Sequence, residues 1–171
     1  MQEPTGSRTV FEGVVVRLEI EDWPGIGPWE IARHPGAAAV LAITPNDEVL
    51  LVKQFRPAVR QMLTEIPAGL LDVAGEDAVT CAVRELFEET GYRHDAIEFL
   101  GGFYPSAGFT DEYVHLFWAR TAADPEGAGE DGIEVVRMPF ERMVDAARAG
   151  RVRDAKTAVA LLLVAGRASQ A

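Results

Sequence analysis

The feature that most constrains this chain is a compact acidic run at residues 84–91, RELFEETG. Residues three and four apart on a helix face the same way, so Glu85 would neighbour both Glu88 and Glu89. Like charges at that spacing weaken an isolated helix by about 0.2–0.5 kcal/mol. A cluster that costs stability suggests a neutralising partner, and a hard divalent cation prefers carboxylate oxygens.

The run is predicted to be helical because the apolar residues preceding and within it recur at helical spacing. Those residues are Val79, Ala82, Val83, Leu86 and Phe87. Asp77 suits the N-cap, and Gly91 suits a left-handed C-terminal cap. We expect the three glutamates to lie largely off this apolar stripe, toward solvent or a cleft. On the helix alone, an ordinary solvated acidic face is the alternative.

Composition narrows the class of protein. A chain of 171 residues with 48% hydrophobic residues fits one globular domain. Its net charge of -11 argues against nonspecific binding to nucleic acid or anionic membranes. The single Cys81 excludes an internal disulfide, is expected to be packed, and fits a reducing cytoplasm. Residues 1–8 are polar, so no secretory signal is expected, and the apolar run 158–165 is too short to span a membrane.

Strands are predicted on both sides of the acidic helix. Alternation over residues 10–20 predicts one or two N-terminal strands. Further strands are predicted at residues 37–43, 48–55, 97–104, 112–119 and 133–138. Pro139 is expected to open a helix at its first position, and Gly150 to close it. A last, mostly apolar helix is expected from Asp154 to about Ala168.

Residues upstream of the acidic helix complete a longer pattern. Segment 66–76, IPAGLLDVAGE, reads as a strand end, a glycine-containing loop and an acidic residue. Together with the helix it resembles the signature of the Nudix hydrolases. The matching residues are Glu76, Arg84, Glu85, Leu86, Glu88, Glu89 and Gly91. Two departures are one extra residue between Gly69 and Glu76, and Tyr92 in place of an aliphatic residue.

The resemblance covers about residues 37–165 and implies an α/β fold in which a mixed β-sheet is sandwiched between helices. Residues 37–171 would form the hydrolase domain. Residues 1–36 are expected to form a separate strand and arm that serves in dimerisation, which makes a homodimer the expected assembly.

The resemblance also implies the metal site. Glu85 and Glu89 would be the main Mg²⁺ ligands, and Glu88 would assist or hold a second ion. Ala68 would lend its backbone carbonyl, and Arg84 would brace the carboxylates. Mg²⁺ would neutralise a diphosphate, orient it and activate a water, and Mn²⁺ is expected to substitute.

Two segments resemble the ADP-ribose pyrophosphatase branch of the family, namely 65–72 (EIPAGLLD) and 108–112 (GFTDE). Ser106 and Gly108 lie in a loop that could bring backbone N–H groups close to phosphate or ribose. By resemblance Glu112 would contact the terminal ribose. A simple surface turn is the alternative for this loop.

Other residues suit a nucleotide ligand. Trp23 and Trp29 lie in a Pro/Gly-rich stretch and could stack a base, although they could instead cover the core or a dimer contact. Arg56 resembles the family arginine that reaches the phosphates, and Arg33 is a weaker candidate.

The general base is expected on the loop 127–134, GAGEDGIE, whose glycines would allow closure over the substrate. Glu130 is the first choice and Glu134 the second. An acidic, solvated hairpin loop is the alternative.

The leading hypothesis is a Mg²⁺-dependent hydrolase that cuts ADP-ribose to AMP and ribose 5-phosphate. Ala107 stands where that branch usually has proline, which leaves another nucleotide sugar or a dinucleotide open as the substrate. A third hypothesis, a non-catalytic nucleotide-sugar sensor, is disfavoured because all three signature glutamates are present.

Overall fold

The computed structural model describes residues 2–168, so the last residues of the expected hydrolase domain, 169–171, lie outside the described part. The strands are β1 (Gly6–Glu12), β2 (Arg17–Trp23), β3 (Gly27–Arg33), β4 (Ala37–Ile43), β5 (Glu48–Arg56), β6 (Gln61–Glu65), β7 (Ala68–Leu70), β8 (His94–Phe103), β9 (Val114–Thr121) and β10 (Glu134–Pro139). The helices are α1 (Ala78–Thr90), α2 (Phe140–Arg148) and α3 (Ala155–Ala168).

The main sheet is mixed, as expected. Its strands run in the order β10-β5-β4-β9-β8, with β6 paired to β5 and β7 paired to β4. Strands β4 and β9 are parallel, whereas the other pairings in this sheet are antiparallel. The short strand β7 therefore holds the start of the loop that leads to α1 in a fixed position beside β4.

Strand β4 shows how the layers form, because successive side chains point to opposite faces of a sheet. Ala39, Leu41 and Ile43 pack in a core cluster with residues of α2 and α3. Ala38, Val40 and Ala42 pack in a second cluster with Cys81, Ala82 and Leu86 of α1. The sheet is thus covered on both faces, which confirms the predicted sandwich.

The N-terminal region is a separate three-stranded antiparallel sheet, β1-β2-β3, rather than a strand and an arm. Residues 10–20 contribute to two strands, and β3, which contains Trp29, was not anticipated. The Pro/Gly content of residues 23–29 belongs to a tight turn, in which Ile26 N donates to Trp23 O at 3.1 Å. Gly25 and Gly27 have φ values of 76° and 95°, a region that favours glycine.

Helix α1 begins and ends where the sequence predicts. The Asp77 side chain accepts a hydrogen bond from Thr80 N at 2.8 Å, and Gly91 is left-handed with φ 75°. One expectation is wrong: Glu89 does not lie off the buried stripe but is only 5% exposed. The buried face of α1 includes Cys81 and Glu89, because the helix packs on both β4 and β7 and is covered over a wider arc than the apolar spacing alone indicates.

Pro139 does not occupy the first helical position. It is the last residue of β10, pairs with Glu48 and has extended dihedral angles (φ -53°, ψ 131°). Helix α2 begins one residue later, at Phe140, whose N–H donates to Asp47 O at 2.9 Å. Gly150 follows the end of α2 in the left-handed region (φ 67°), as predicted.

Candidate active site

The acidic end of α1 lies directly over β7. A Cβ atom added to Gly69 would fall 1.8 Å from Oε1 of Glu85. Only glycine at this position therefore lets the Glu85 side chain occupy its place against the strand. Gly69 is thus required because the Glu85 side chain lies against its backbone. The extra residue between Gly69 and Glu76 does not alter this contact.

Arg84 links the acidic residues of the signature. Its guanidinium donates to both carboxylate oxygens of Glu76, at 2.8 and 2.9 Å. It also donates to Glu85 at 2.6 Å and to Glu88 at 2.9 Å. The hydrogen bond to Arg84 lowers the pKa of Glu76, and the same bond raises the pKa of Arg84. Glu76 thus orients Arg84, a role that the sequence left open.

Glu89 is a buried carboxylate with little to neutralise it. Its Oε2 accepts a hydrogen bond from Ala68 N at 3.2 Å. Within residues 2–168 no arginine, lysine or histidine forms an ion pair with it. Burial raises the pKa of Glu89 to about 7, and the negative charge of Glu85 adds to the shift. Burial likewise raises the pKa of Glu85.

The backbone of Ala68 faces the same carboxylate. Val40 N donates to Pro67 O at 3.0 Å, which makes Ala39 and Ala68 a pair that does not exchange hydrogen bonds. The N–H and C=O of one strand residue point to the same side. Because the N–H of Ala68 reaches Glu89, its carbonyl oxygen is directed to the α1 side as well.

This donor set fits a hard divalent cation, since it consists of carboxylate and carbonyl oxygens. Among the residues described, no three His, Cys, Asp or Glu side chains lie close enough together to hold a metal ion as they stand. Glu85 and Glu88 are turned toward Arg84, whereas Glu89 contacts Ala68. Joint coordination therefore requires Glu85 to exchange its contact with Arg84 for the cation.

The loop proposed to supply a general base packs against the end of α1. Glu126 N and Gly127 N both donate to Gly91 O, at 2.8 and 3.1 Å. The negative charge of Glu130 contributes to the raised pKa values of Glu85 and Glu89.

Glu134 differs from Glu130, because it lies in β10 and pairs with Lys53 at 3.0 Å. Glu130 is thus among the charges that act on the acidic patch, whereas the contact that Glu134 makes is with Lys53.

Arg56 stands at the edge of the site, held by Glu65. Its Nε and Nη2 donate to the two oxygens of Glu65, each at 2.8 Å. The positive charge of Arg56 offsets part of the rise in the pKa of Glu89, so the two groups are electrostatically coupled. The sequence indicated Arg56 but not that Glu65 holds it. It also gave no indication of Lys156, which contacts Glu65 although the two residues are 91 positions apart.

The tryptophans and the loop after β8 form a separate cavity of about 350 Å³. Its lining includes Trp23, Trp29, Arg33, Ala107 and Phe109. Trp29 Nε1 donates to Gly108 O at 3.1 Å, and Ala32 N donates to Phe109 O at 2.7 Å. The N-terminal sheet is therefore docked onto the loop that the sequence linked to substrate binding.

Other predicted residues near this loop have structural partners. The carbonyl of Ser106 accepts from the N–H groups of Phe109 and Thr110, each at 3.2 Å. Glu112 is half-buried next to the cavity lining, and its N–H donates to Thr110 Oγ1 at 3.1 Å.

Arg33 is fully engaged. It donates to Glu19 at 2.7 Å and to Asp111 at 3.1 Å, and it also contacts Glu21. It therefore ties β2 and β3 to the loop after β8, and its guanidinium has little capacity left for a phosphate.

None of the helices within residues 2–168 combines the length and the apolar character needed to cross a membrane.

Comparisons with known proteins agree with this geometry. A profile of the Nudix domain matches residues 32–161. The chain is 36% identical to the methanol dehydrogenase activator of Bacillus methanolicus and 39% identical to the ADP-ribose pyrophosphatase of Bacillus subtilis, in each case over 89% of this chain and 86% of the relative. It is 36% identical to the GDP-mannose pyrophosphatase of Cronobacter sakazakii, over 77% of this chain and 78% of the relative.

A crystal structure of an ADP compounds hydrolase has the same fold. It superposes with a TM-score of 0.81 at 22% sequence identity, and the superposition covers 99% of this chain and 95% of that hydrolase. The profile match, the relatives and the arrangement of α1 over β7 lead to one conclusion: this chain belongs to the Nudix family of hydrolases.

Proposed function

We propose that this chain hydrolyses the diphosphate bond of ADP-ribose, giving AMP and ribose 5-phosphate, with Mg²⁺ as cofactor and Mn²⁺ able to replace it. The observation that carries the proposal is Glu89, a buried carboxylate that accepts a hydrogen bond from Ala68 N, feels the charge of Glu85 and has no ion-pair partner within residues 2–168. The 39% identity to an ADP-ribose pyrophosphatase supports this choice of substrate.

In this proposal Glu85, Glu88, Glu89 and the Ala68 carbonyl hold the metal. When bound there, Mg²⁺ neutralises the charge of the diphosphate and lowers the pKa of a water. Arg84 holds Glu85 and Glu88 at the site in the metal-free protein, and Glu85 exchanges this contact for the metal when the metal binds.

Glu130 takes the proton of the attacking water in this scheme. Its loop packs on the end of α1, and its charge acts on both Glu85 and Glu89. Glu134 is the second choice, since its ion pair with Lys53 occupies it.

The substrate-binding proposal rests on Arg56 for the phosphates and on the cavity between β3 and the loop after β8. Trp23 and Trp29 would contact the adenine, whereas Ser106, Gly108 and Glu112 would contact the sugar-phosphate part. The cavity of about 350 Å³ falls within the usual range for small-ligand sites.

The N-terminal sheet is proposed as the dimerisation element of a homodimer. It presents exposed apolar side chains, namely Val10, Phe11, Val14, Val15 and Val16. A reducing cytoplasmic location is proposed on the single, unbridged Cys81.

The test is hydrolysis of ADP-ribose by purified protein at pH 8 with Mg²⁺, with AMP measured by chromatography. The double variant Glu85→Gln/Glu89→Gln is expected to lose turnover by about 10³-fold, since several kcal/mol of charge stabilisation disappear. Glu98→Gln/Glu141→Gln changes two exposed glutamates and serves as the control. Full turnover in the double variant of α1 would show that the reaction occurs at another site.

A second candidate keeps the chemistry and changes the substrate to another nucleotide sugar, such as GDP-mannose, or to a dinucleotide. The 36% identity to a GDP-mannose pyrophosphatase and the presence of Ala107 in place of proline favour it. Comparing kcat/KM across ADP-ribose, GDP-mannose and dinucleotides separates the candidates by whether ADP-ribose ranks first. Binding without turnover of any of them would instead support a sensor.

A further inference from the structure

We propose that the first turn of α3 positions the active site through two buried contacts. Lys156 orients the phosphate-binding Arg56 through Glu65, and Thr157 fixes the segment 66–68 that faces the metal carboxylates. This inference rests on the proposed function, and it gives roles to three residues, Lys156, Thr157 and Asp154, that the signature does not include.

The first contact runs from Lys156 to Arg56. Glu65 is 1% exposed, and its Oε2 is shared by Lys156 and by Nη2 of Arg56. Oε1 accepts from Nε of Arg56 at 2.8 Å. Because both oxygens are held, the carboxylate cannot rotate, and the plane of the Arg56 guanidinium is fixed with it.

Arg56 is held in one orientation but keeps N–H donors for a ligand. Its side chain is 40% exposed, and within residues 2–168 its Nη1 has no hydrogen-bond partner. A guanidinium that presents a free N–H edge is suited to a phosphate oxygen. The half-buried Lys156 thus acts through Glu65 on a group that meets the substrate.

The second contact runs from Thr157 to Glu89. Thr157 is fully buried, and its Oγ1 accepts a hydrogen bond from Ile66 N at 2.8 Å. Two residues later Ala68 N donates to Glu89. Pro67 lies between them and has a fixed φ angle, so a shift at Ile66 is passed on to Ala68 rather than absorbed.

Asp154 joins the two contacts. Its Oδ1 accepts from Lys156 at 2.8 Å, and its Oδ2 accepts from Thr157 N at 2.9 Å and from the Thr157 hydroxyl. It caps α3 and sets the position of both neighbours at once. The same helical turn therefore holds a substrate contact and a metal contact in one rigid frame.

The first test uses Lys156→Met and Lys156→Arg. Lys156→Met leaves Glu65 free to move, so KM for ADP-ribose is expected to rise about tenfold while kcat changes by less than about threefold. Lys156→Arg keeps the charge and is expected to restore most of the loss. Equal KM values in the wild type and Lys156→Met would overturn this half of the inference.

The second test uses Thr157→Val, which keeps the shape of the side chain but removes the acceptor, and Thr157→Ser, which keeps the acceptor. Thr157→Val is expected to raise the Mn²⁺ dissociation constant, measured by calorimetry without substrate, by about tenfold. Hydrogen exchange of the Ile66 amide is expected to accelerate in Thr157→Val but not in Thr157→Ser. Unchanged Mn²⁺ binding in Thr157→Val overturns this half.

The control is Arg153→Met, which changes a neighbouring cation whose contact at 2.7 Å is with Gln61 and not with Glu65. Thermal unfolding of every variant is recorded, because a merely structural role would lower Tm and leave KM and Mn²⁺ affinity unaltered. If the wild type itself hydrolyses no nucleotide sugar, the proposed function fails. If the wild type is active and all variants match it, only this inference fails.

Discussion

Glu65 and Glu89 are two buried glutamates at the segment 65–68: Glu65 is its first residue, and Glu89 of α1 contacts its last residue, Ala68. Their surroundings differ in charge. Burial by itself would raise the pKa of both carboxyl groups. At Glu65 the hydrogen bond from Arg56 and the charge of Lys156 outweigh burial, and the pKa falls to about 2. At Glu89 the hydrogen bond from Ala68 N and the charge of Arg56 only partly oppose burial, and the pKa rises to about 7.

This difference separates a structural charge from a functional one. Glu65 is paired with Arg56 and Lys156 and joins them, whereas Glu89 lowers the stability of the folded protein in the absence of a cation. A strongly perturbed carboxylate in a site beside other acidic groups is a candidate functional residue. The contrast leads to opposite expectations for the same chemical change at the two positions.

Glu65→Gln is expected to destabilise the protein by about 3–5 kcal/mol, because Arg56 and Lys156 lose their shared negative partner. The stability that Glu65 contributes is fully present above its ordinary pKa of 4.5 and is lost as the pH falls toward about 2. Urea unfolding at pH 7 and pH 3 measures both effects. A variant as stable as the wild type at pH 7 would contradict the structural role of Glu65.

Glu89→Gln is expected to stabilise the metal-free protein by about 2 kcal/mol at pH 8, since an unpaired buried charge is removed. The folded pKa of Glu89 lies above its ordinary value of 4.5, so its contribution to stability is full below 4.5 and is lost as the pH rises through about 7. The wild type should therefore lose more stability between pH 6 and pH 8 than the variant. Urea unfolding in EDTA tests this, and a less stable variant at pH 8 would remove the contrast.

Gly69→Ala is expected to weaken Mn²⁺ binding by about tenfold, because the new Cβ takes the place of the Glu85 carboxylate. The cost in stability is expected to be smaller, since the end of a flexible side chain can move. Gly166→Ala, a site in α3 with open space around the added Cβ, is the matched control. Unaltered Mn²⁺ affinity in Gly69→Ala would mean that Glu85 is not needed where it lies.

Asp77→Ala is expected to cost about 1 kcal/mol by removing the N-cap of α1, with no change in Mn²⁺ affinity. Asp77→Asn keeps an acceptor for Thr80 N and should recover most of that loss. A large change in Mn²⁺ affinity would show that the two ends of α1 are coupled. Thermal unfolding and calorimetry on the same samples measure the two quantities.

The parts of the molecule that local chemistry determines could be predicted from the sequence. The caps of α1 depend on Asp77 and Gly91, which act within four residues, and both were found. The family and the layered fold followed from the spacing of the signature and from apolar runs, and both are confirmed. The buried position of Cys81 also followed from its place in the helical pattern.

The parts that depend on distant contacts could not. The inward position of Glu89 depends on β7 beside α1, and β3 was hidden by the Pro/Gly content of its turn. The partner of Glu65 lies 91 residues away, so no local pattern indicates that Lys156 completes the ion pair. The role of Glu76 became clear only from its paired hydrogen bonds to Arg84.

The most direct test of the account is calorimetric titration of Mn²⁺ into the metal-free protein at pH 6.5 and pH 8.5, each in two buffers of different protonation enthalpy. Because Glu89 has a pKa of about 7, binding at pH 6.5 is expected to release protons, and the release is expected to fall at pH 8.5. Glu85→Gln/Glu89→Gln should abolish both binding and release. Mn²⁺ binding that is equally strong in this variant, or that releases no proton at either pH, would contradict the claim that these carboxylates form the metal site.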